Sequence, residues 1–599
     1  MEAISAPAGW LADRAAQWRN EPGKFAAMAL TASFLAALIA YPFLTLFVMS
    51  LQHPETGAWT ISSYVRIFTE ESFRDAFIRS IWLSLIVTFF SLILGIPMAF
   101  GVSRTRMPFR ELVRSLTGIA FIIPSFIGAV GWIFLLGENQ GDINRLVRWI
   151  VNPFLAEPIE SGPFTVFSFW GLAFVLVLHF FPFVFYSVSA SLDNMDPSYE
   201  EAGSMVGAGR LLTVLRITLP MAAPAIVSGA IMVFLETLAA FGAPQVIGVP
   251  ARFHVLTTRI YNLFEPPPNF AMATALASPL IVITAGALWL QRRILSRRQY
   301  VTVGGKATAP APMDIGRWRY VLSGFSMLVV FVSVGAPMYA IFATSVTEVW
   351  GRPLFTGLFP PAAGGFSLTH YEQLFDPALA NCDLPGGYIV TEAICAVYNS
   401  MWLSAVAATL ILLLAVVSAY IVERSGIDGR GALTGLIMMT FAFPSVALAV
   451  GLYVGYLRLE WLPVFGTMMM FILAYITRYI AFAFIFVRNT MKQVGPEMEE
   501  AGRMVGAGWT RTTWSISVPL LKSGLWIGWT LVFAVLLREL PLTIMLNVQG
   551  AQTMAVRILL FIEDGLLERA AAMCIIIIVA SVGATWLVRR FAGKSVMEV

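Results

Sequence analysis

The sequence predicts an all-α integral membrane protein in which twelve transmembrane helices form two parallel six-helix repeats. Three observations predict this class. The 599 residues are 58% apolar and 12% charged, whereas soluble domains average about 45–50% apolar and 25% charged. Apolar runs of about 20 residues, the length that a helix needs to cross a bilayer, recur along the chain, and short motifs repeat between its halves. Three Cys are too few for a disulfide scaffold, and this composition excludes a disordered chain.

The apolar runs give the order of the spans. Backbone polar groups in lipid must pair within their own segment, so continuous runs indicate helices rather than alternating strands. The twelve predicted spans are Phe25–Leu51, Ile78–Ser103, Leu112–Gly137, Phe164–Ser189, Ala222–Ile247, Met272–Leu290, Arg319–Ser345, Ser400–Val422, Ala432–Tyr456, Leu462–Val487, Leu521–Leu546 and Ala570–Leu587.

Lys and Arg predict the orientation of the spans. With the N-terminus in the cytoplasm, 26 of the 39 Lys and Arg fall in cytoplasmic segments and ten in external loops. Positive charge accumulates on the cytoplasmic side of membrane proteins, so both termini are expected there. The N-terminal segment lacks the basic region and cleavage site of a signal peptide, and we expect the first span to be retained.

An internal repeat relates the two halves. Ser80-Ile-Trp-Leu-Ser84 returns as Ser400-Met-Trp-Leu-Ser404, and Pro124-Ser125 returns as Pro444-Ser445 at the same offset along the chain. Each half begins and ends inside, which indicates parallel repeats related by an axis along the membrane normal. The predicted divisions are an N-terminal segment (1–24), a first repeat (25–296), a flexible cytoplasmic linker (297–318) and a second repeat (319–599).

A cytoplasmic loop with one motif lies between spans four and five of each half, at 193–220 and 492–519. It reads Glu201-Ala-Gly, three residues, Gly207, nine residues and Ile-Thr-Leu-Pro in the first half. The second half has Glu500-Ala-Gly, three residues, Gly506, nine residues and Ile-Ser-Val-Pro. Glycine permits positive φ, so the pattern predicts a short helix, a bend and a second helix.

This loop resembles the EAA loop in permease subunits of binding-protein-dependent type I ABC importers. Here Gly203 and Gly502 replace the second alanine, and Val518 replaces a leucine. The resemblance implies a coupling helix that docks on an ATP-binding subunit, two such subunits per chain, a periplasmic substrate-binding protein and a bacterial inner membrane. It implies these coupling residues: Glu200, Glu201, Ala202, Gly203, Gly207, Glu499, Glu500, Ala501, Gly502 and Gly506. The alternative is an amphipathic connector lying on the bilayer, which a basic face would favour.

The chain lacks the P-loop pattern that ATP hydrolysis needs. Gly593-Lys-Ser595 has Val588 where the upstream glycine is required. We therefore expect no enzyme activity and no cofactor in this chain, with ATP and Mg²⁺ bound by the partner ATPase subunits. The scattered His residues indicate no metal site, and we expect lipid around the chain and no nucleic-acid partner.

The fused arrangement resembles the ferric-iron branch of these permeases. That resemblance is carried by Arg538-Glu-Leu-Pro-Leu-Thr543 in span eleven and Leu235-Glu-Thr-Leu-Ala-Ala-Phe-Gly242 in span five. It implies ferric iron as cargo, and it leaves thiamine, a phosphonate or organophosphate, and a polyamine open. Ferric-type permeases often have an acidic residue at the position of Ala240, so the sequence departs from the pattern there.

Charged residues inside spans are candidates for the translocation pathway. Placing one at a helix centre costs about 2.5–3.5 kcal/mol on insertion scales, so it calls for a reason. The alternative is that Arg538 and Glu539 pair structurally, or that these groups snorkel to an interface. The pathway candidates are Glu236, Arg478, Arg538 and Glu539, together with Pro124 and Pro444.

Two external features complete the candidate sites. Arg259 and Arg557 occupy equivalent stretches after the fifth span of each half and are candidates for docking the binding protein. Cys382 and Cys395 share one external loop, where an oxidising compartment would permit a disulfide. The sequence leaves both the bridged and the free state open, because it does not give the distance between the two side chains.

Two other classes of function are weaker alternatives. A major-facilitator-like secondary transporter also has two six-span halves, but it would leave the duplicated Glu-Ala-Gly loops unexplained. A membrane enzyme would need a constellation of His, Asp or Ser that this sequence does not present.

Overall fold

The structure is a computed structural model that describes residues 22–53, 56–297, 313–350, 366–385, 387–424, 430–459, 464–493, 497–546, 548 and 550–591. Most of the predicted N-terminal segment and most of the linker lie outside these residues. The first half contains α1 (Pro22–Ser50), α2 (Ser62–Thr69), α3 (Glu71–Arg104), α4 (Arg110–Ile122), α5 (Ser125–Leu136), α6 (Asp142–Val151), α7 (Phe169–Asp193), α8 (Ser198–Met205), α9 (Arg210–Thr213), α10 (Leu219–Ala239), α11 (Leu256–Asn262) and α12 (Phe270–Arg297).

The second half repeats this order. It contains α13 (Trp318–Val330), α14 (Ala336–Ser345), α15 (Thr369–Phe375), β1 (Cys382–Leu384), β2 (Tyr388–Val390), α16 (Glu392–Arg424), α17 (Arg430–Met439), α18 (Ser445–Leu457), α19 (Met468–Gln493), α20 (Glu497–Met504), α21 (Trp509–Thr512), α22 (Val518–Leu537), α23 (Pro541–Leu546), α24 (Met554–Glu563) and α25 (Leu567–Phe591). Turns of π-helix join α9 to α10 and α21 to α22.

The predicted twelve-span helical class is confirmed. Among the described residues, nine helices are long and apolar enough to cross a membrane. Two bent helix pairs, in spans three and eleven, bring the number to eleven. The remaining predicted span, the ninth, corresponds to the shorter helices α17 and α18. Within the described part of the chain, β1 and β2 form the one sheet, an antiparallel hairpin in the loop between spans seven and eight.

The third and ninth spans are broken, and the prediction of two continuous helices is wrong at these places. α4 and α5 meet at an angle of 99° around Pro124. Proline has no amide hydrogen to donate, and it drives the residue before it out of the helical region. Ile123 and Phe443, which precede Pro124 and Pro444, both have extended backbone conformations. Spans five and eleven also end early, at Ala239 and Leu537.

The first span of each half packs against the other half. α1 packs against α18, where the Tyr41 hydroxyl donates to the Gly455 carbonyl at 2.7 Å. Span seven, formed by α13 and α14, packs in the same way against the first half, and Ser333 donates to the Leu178 carbonyl at 2.7 Å. The two halves are therefore interlocked, and their contact does not depend on a single flat interface.

Equivalent glycines make this interlocking close. A Cβ atom added at Gly131 of α5 would lie 2.6 Å from the carbonyl oxygen of Pro337 in span seven. A Cβ added at Gly451 of α18 would lie 2.6 Å from the carbonyl oxygen of Pro42 in α1. Backbone atoms have little freedom to move away, so any side chain at these positions would force the halves apart.

We predict that Gly131→Val lowers the stability of the protein by about 1–3 kcal/mol, because it overpacks a backbone contact between the halves. Thermal unfolding of the purified protein, followed by tryptophan fluorescence, measures the change. Gly128→Val is the control, since a Cβ at Gly128 on the same helix meets no atom within 4 Å. Equal unfolding temperatures for the two variants would refute the packing argument.

Candidate functional site

The loop between spans four and five of the first half forms the predicted helix, bend and second helix. Asp196 accepts a hydrogen bond from the backbone N–H of Ser198 at 2.9 Å as α8 begins, and this contact lowers the pKa of the Asp196 carboxyl. Gly207 has a φ of +82°, and the following N–H, of Ala208, donates to the Gly203 carbonyl at 3.0 Å. This bond closes the helix end in the way that a left-handed glycine permits.

The second loop repeats this geometry. Gly506 has a φ of +81°, and the N–H of Ala507 donates to the Gly502 carbonyl at 3.1 Å. Gly502, like Gly203 in the first loop, is buried where the two helices of its loop meet. A Cβ at Gly502 would lie 2.6 Å from the terminal methyl of Ile516, so the glycine allows close contact of the helices.

Glu200 points into the protein and is held by a buried arginine. Both carboxylate oxygens pair with the Arg104 guanidinium at the end of α3, and the Nε–Oε1 distance is 3.3 Å. Thr218, next to the start of α10, donates to Oε1 at 2.7 Å. Arg104 also donates to the Met195 carbonyl at 3.3 Å, just after α7. These contacts, which we call the first bracket, join α8 to the adjoining ends of three spans.

The second half builds an equivalent bracket. Arg424, at the end of α16, lies 3.8 Å from the Glu499 carboxylate and donates to the Met491 carbonyl at 3.1 Å. Ser517 donates to Glu499 at 2.8 Å. In the sequence alone, Arg104 and Arg424 serve only as markers of orientation. The two arginines are related by the same offset as the repeated proline pair, and this equivalence is the signal that could have identified them.

The brackets correct part of the predicted coupling set. Glu200 and Glu499 are buried inside the loops and are not available to a docking partner. The exposed residues, which we call the coupling face, include an apolar pair in each loop that is 85–88% exposed. The coupling face comprises Glu201, Ala202, Met205 and Val206, with Glu500, Ala501, Met504 and Val505 in the second loop.

Two arginines of the second half bind the broken spans. Arg538 crosses to the first half and donates to the carbonyl oxygens of Phe121, at 3.0 Å, and Ile122 at the end of α4. Arg478 donates to the Thr440 carbonyl at 3.5 Å and to the Ser445 hydroxyl at 3.1 Å, on either side of the break in span nine. The last carbonyls of a helix lack partners and carry partial negative charge, which a guanidinium satisfies.

The arginine contacts bear on whether the intramembrane charges belong to the translocation pathway or form structural pairs. Arg538 is engaged with helix carbonyls, while Glu539 accepts hydrogen bonds from the Tyr479 hydroxyl and, at 3.2 Å, from the Leu542 N–H. Arg538 and Glu539 are therefore held by these separate partners and not by an ion pair with each other. Glu236 lies within electrostatic range of both groups across the interface between the halves. A pathway role for Glu236, Glu539 and the two breaks stays a prediction.

The external arginines are each engaged within their own half. Arg259 donates to the Ser72 hydroxyl at 3.1 Å and lies 5.1 Å from the centre of the Phe73 ring. Arg557 forms an ion pair with Glu392. Their role in docking a binding protein stays a prediction, and these contacts would have to be shared with the partner.

The loop between spans seven and eight contains a disulfide between Cys382 and Cys395, whose Cα atoms are 6.5 Å apart. It joins β1 to the start of α16, the long helix that forms span eight. The bond therefore holds the hairpin against one end of that span.

Comparison with known protein families identifies the fold. Residues 91–300 and 411–595 each match the family described as "Binding-protein-dependent transport system inner membrane component". The matched regions begin at equivalent positions of the two repeats, cover more than half of the chain and include both brackets and both coupling faces. The chain belongs to this family. The permease is thus a fused, two-repeat, multi-pass membrane protein, as the sequence repeat predicts.

Curated relatives of this permease carry names from ferric transport. It is 25% identical to the "Ferric transport system permease protein FbpB" of Actinobacillus pleuropneumoniae, over 88% of this chain and 72% of that protein. It is 22% identical to the "Fe(3+)-transport system permease protein FbpB 2" of Haemophilus influenzae, over 94% of this chain and 98% of that protein. A molybdenum transport permease of Escherichia coli is 26% identical over 36% of this chain and 93% of that protein.

Among solved structures, the permease is similar to a chain of a bacterial ABC transporter involved in the import of alginate. The identity is 18% and the TM-score 0.37, over 48% of this permease and 98% of that chain.

We predict that Arg104→Ala destabilises the permease by about 3–5 kcal/mol, because it leaves the Glu200 carboxylate buried without its partner. Unfolding of the purified variant in lipid nanodiscs measures the loss. Arg106→Ala removes an exposed charge two residues away and serves as the control. If Arg104→Ala unfolds like Arg106→Ala, the bracket does not hold α8 in place.

Proposed function

We propose that this permease is the membrane-spanning subunit of an ATP-driven importer that moves ferric iron from a periplasmic binding protein into the cytoplasm. The observation that carries the proposal is the coupling face, which occurs twice with the same residue types and the same exposure. Apolar side chains that are exposed beside a carboxylate at a helix bend suit a cleft in a partner protein.

Each coupling face would receive one ATP-binding subunit, so two copies would bind per permease chain. ATP and Mg²⁺ would be bound by those subunits. The repeat supports equal partners, because Met205 and Val206 in one loop correspond to Met504 and Val505 in the other. The distribution of Lys and Arg supports a cytoplasmic position for both loops and both chain termini.

The brackets would pass movement of the ATP-binding subunits to the spans. α8 is bound through Glu200 to residues at the ends of α3 and α7 and at the start of α10. A displacement of α8 therefore moves these ends together. The second bracket, around Glu499, does the same for α16, α19 and α22. Separation of the two halves would then require Arg538 to release the α4 carbonyls, which makes that contact part of the gate.

Ferric iron is the cargo that the relatives' names favour. The relatives with the longest coverage are named as ferric transport permeases, and they span both repeats as this chain does. The Glu236 carboxyl of the first half interacts electrostatically with Arg538 and Glu539 of the second half, so a cargo passing between the halves would meet both carboxylates. Oxygen ligands of this type suit a hard cation.

We predict that Gly207→Val or Gly506→Val separates ATP hydrolysis from transport. A β-branched residue is strained at the positive φ that both glycines adopt, so the coupling face would change its orientation. The readouts are ATP hydrolysis and iron uptake in proteoliposomes that contain the whole complex. Gly209→Val is the matched control, since Gly209 has a φ of −62° and an added Cβ meets no atom within 4 Å. Wild-type coupling in both bend variants would contradict the proposal.

The cargo is tested with the same proteoliposomes and a set of periplasmic binding proteins. We expect the ferric-loaded binding protein to stimulate ATP hydrolysis several-fold, and the same protein without iron to leave it near the basal rate. Stimulation by a binding protein loaded with another solute, and not by the ferric form, would overturn the assignment of iron while leaving the importer intact.

A further inference from the structure

The external segment between spans three and four contains a helix that the proposed import mechanism does not use. α6 (Asp142–Val151) begins a few residues after α5 ends at Leu136, and the chain re-enters the membrane with α7 at Phe169. Both neighbouring helices are parts of spans, and their adjoining ends are external. α6 therefore lies at the level where the outer face of the bilayer meets water.

The polar stripe of this helix faces the protein. Three long polar side chains spaced four residues apart lie on one side of α6 and of the turn after it. All three donate to backbone carbonyl oxygens of the adjoining loop: Asn144 to Gly137 at 3.0 Å and Phe164 at 2.8 Å, Arg148 to Glu138 at 3.2 Å and Glu160 at 3.1 Å, and Asn152 to Ile159 at 3.3 Å.

The apolar stripe of the same helix faces outward. Leu146, Trp149 and Ile150 lie one turn apart and are all exposed, and Trp149 is 76% exposed. Phe154, in the turn that follows, is 85% exposed. A helix at a water surface turns its polar side outward and buries its apolar side. α6 has the opposite arrangement, so its outer neighbour is an apolar medium.

We propose that α6 lies flat on the outer leaflet of the membrane, with Trp149 and Phe154 inserted at the boundary between headgroups and acyl chains. Helices with this distribution lie in the plane of the interface, and tryptophan concentrates there. The proposal does not depend on the cargo or on the ATP-binding subunits.

Two other features support lipid as the occupant of this surface. Trp170, at the external start of α7, is 64% exposed and belongs to a helix long and apolar enough to cross a membrane. The short external helix α2 (Ser62–Thr69) likewise exposes Val65 and Phe68, and Trp59 precedes it. The apolar surface of α6 thus has counterparts on other elements at the external boundary of the spans.

In this proposal α6 anchors the first half to the membrane surface, and the second half has no equivalent anchor in its corresponding connection. The corresponding connection of the second half, between α18 and α19, is short, because the sequence there lacks the residues that form α6. Asn144 binds the carbonyls at the end of α5, so the anchor would hold the outer segment of broken span three at a fixed depth.

The test places a fluorophore on the proposed contact. Trp149→Cys, labelled with an environment-sensitive dye, is reconstituted as full-length permease in nanodiscs. Quenching by a lipid that carries a nitroxide near the headgroup is compared with quenching by aqueous iodide. We expect a lipid-to-iodide quenching ratio about threefold above that of Tyr388→Cys on the external hairpin, and close to that of Trp170→Cys.

Three outcomes decide the proposal. A ratio like that of Trp170→Cys supports it, and a ratio like that of Tyr388→Cys overturns it. Protection from iodide that occurs only when a binding protein is added also overturns it, because the occupant would then be a protein. Ile150→Cys provides a second position on the same stripe if the Trp149 variant is poorly folded.

Discussion

The buried ion pair between Arg104 and Glu200, repeated between Arg424 and Glu499, is the contact on which the coupling arrangement depends. A charge buried without a partner is costly, so each pair confines its carboxylate to one geometry. The arginines lie at the ends of α3 and α16 and also bind carbonyls at the ends of α7 and α19. Each short loop helix, α8 or α20, is thereby joined to three spans, and the residues of the coupling face stay exposed.

The same requirement, that buried polar groups find partners, explains the intramembrane charges. The breaks at Pro124 and Pro444 leave helix carbonyls without partners in a region that excludes water. Arg538 and Arg478 bind these carbonyls, and Arg538 does so across the interface between the halves. The breaks and the exchanged first spans therefore make the halves mutually dependent, and the Arg538 contact between the halves consists of a small number of hydrogen bonds.

Much of this architecture could be predicted from the sequence, because span length and repeat spacing depend on short-range patterns. The bends of the coupling loops were predictable because Gly207 and Gly506 permit the positive φ that such a bend requires. The breaks were missed because Pro124 and Pro444 lie inside apolar runs, and each run is long enough by itself to predict one continuous span. The inward direction of Glu200 was missed because adjacent Glu200 and Glu201 are equivalent in sequence and differ only in which side of α8 they occupy. The roles of Arg104 and Arg538 depend on residues far away along the chain, which no local pattern reports.

The central claim is that two equivalent coupling faces each hold one ATP-binding subunit. Native mass spectrometry of the complex, purified without nucleotide, tests it most directly. The account predicts two ATP-binding chains per permease chain, one chain when either Met205→Asp or Met504→Asp is present, and none in the double variant. A wild-type complex with a single ATP-binding chain, or full occupancy in the double variant, would contradict the account.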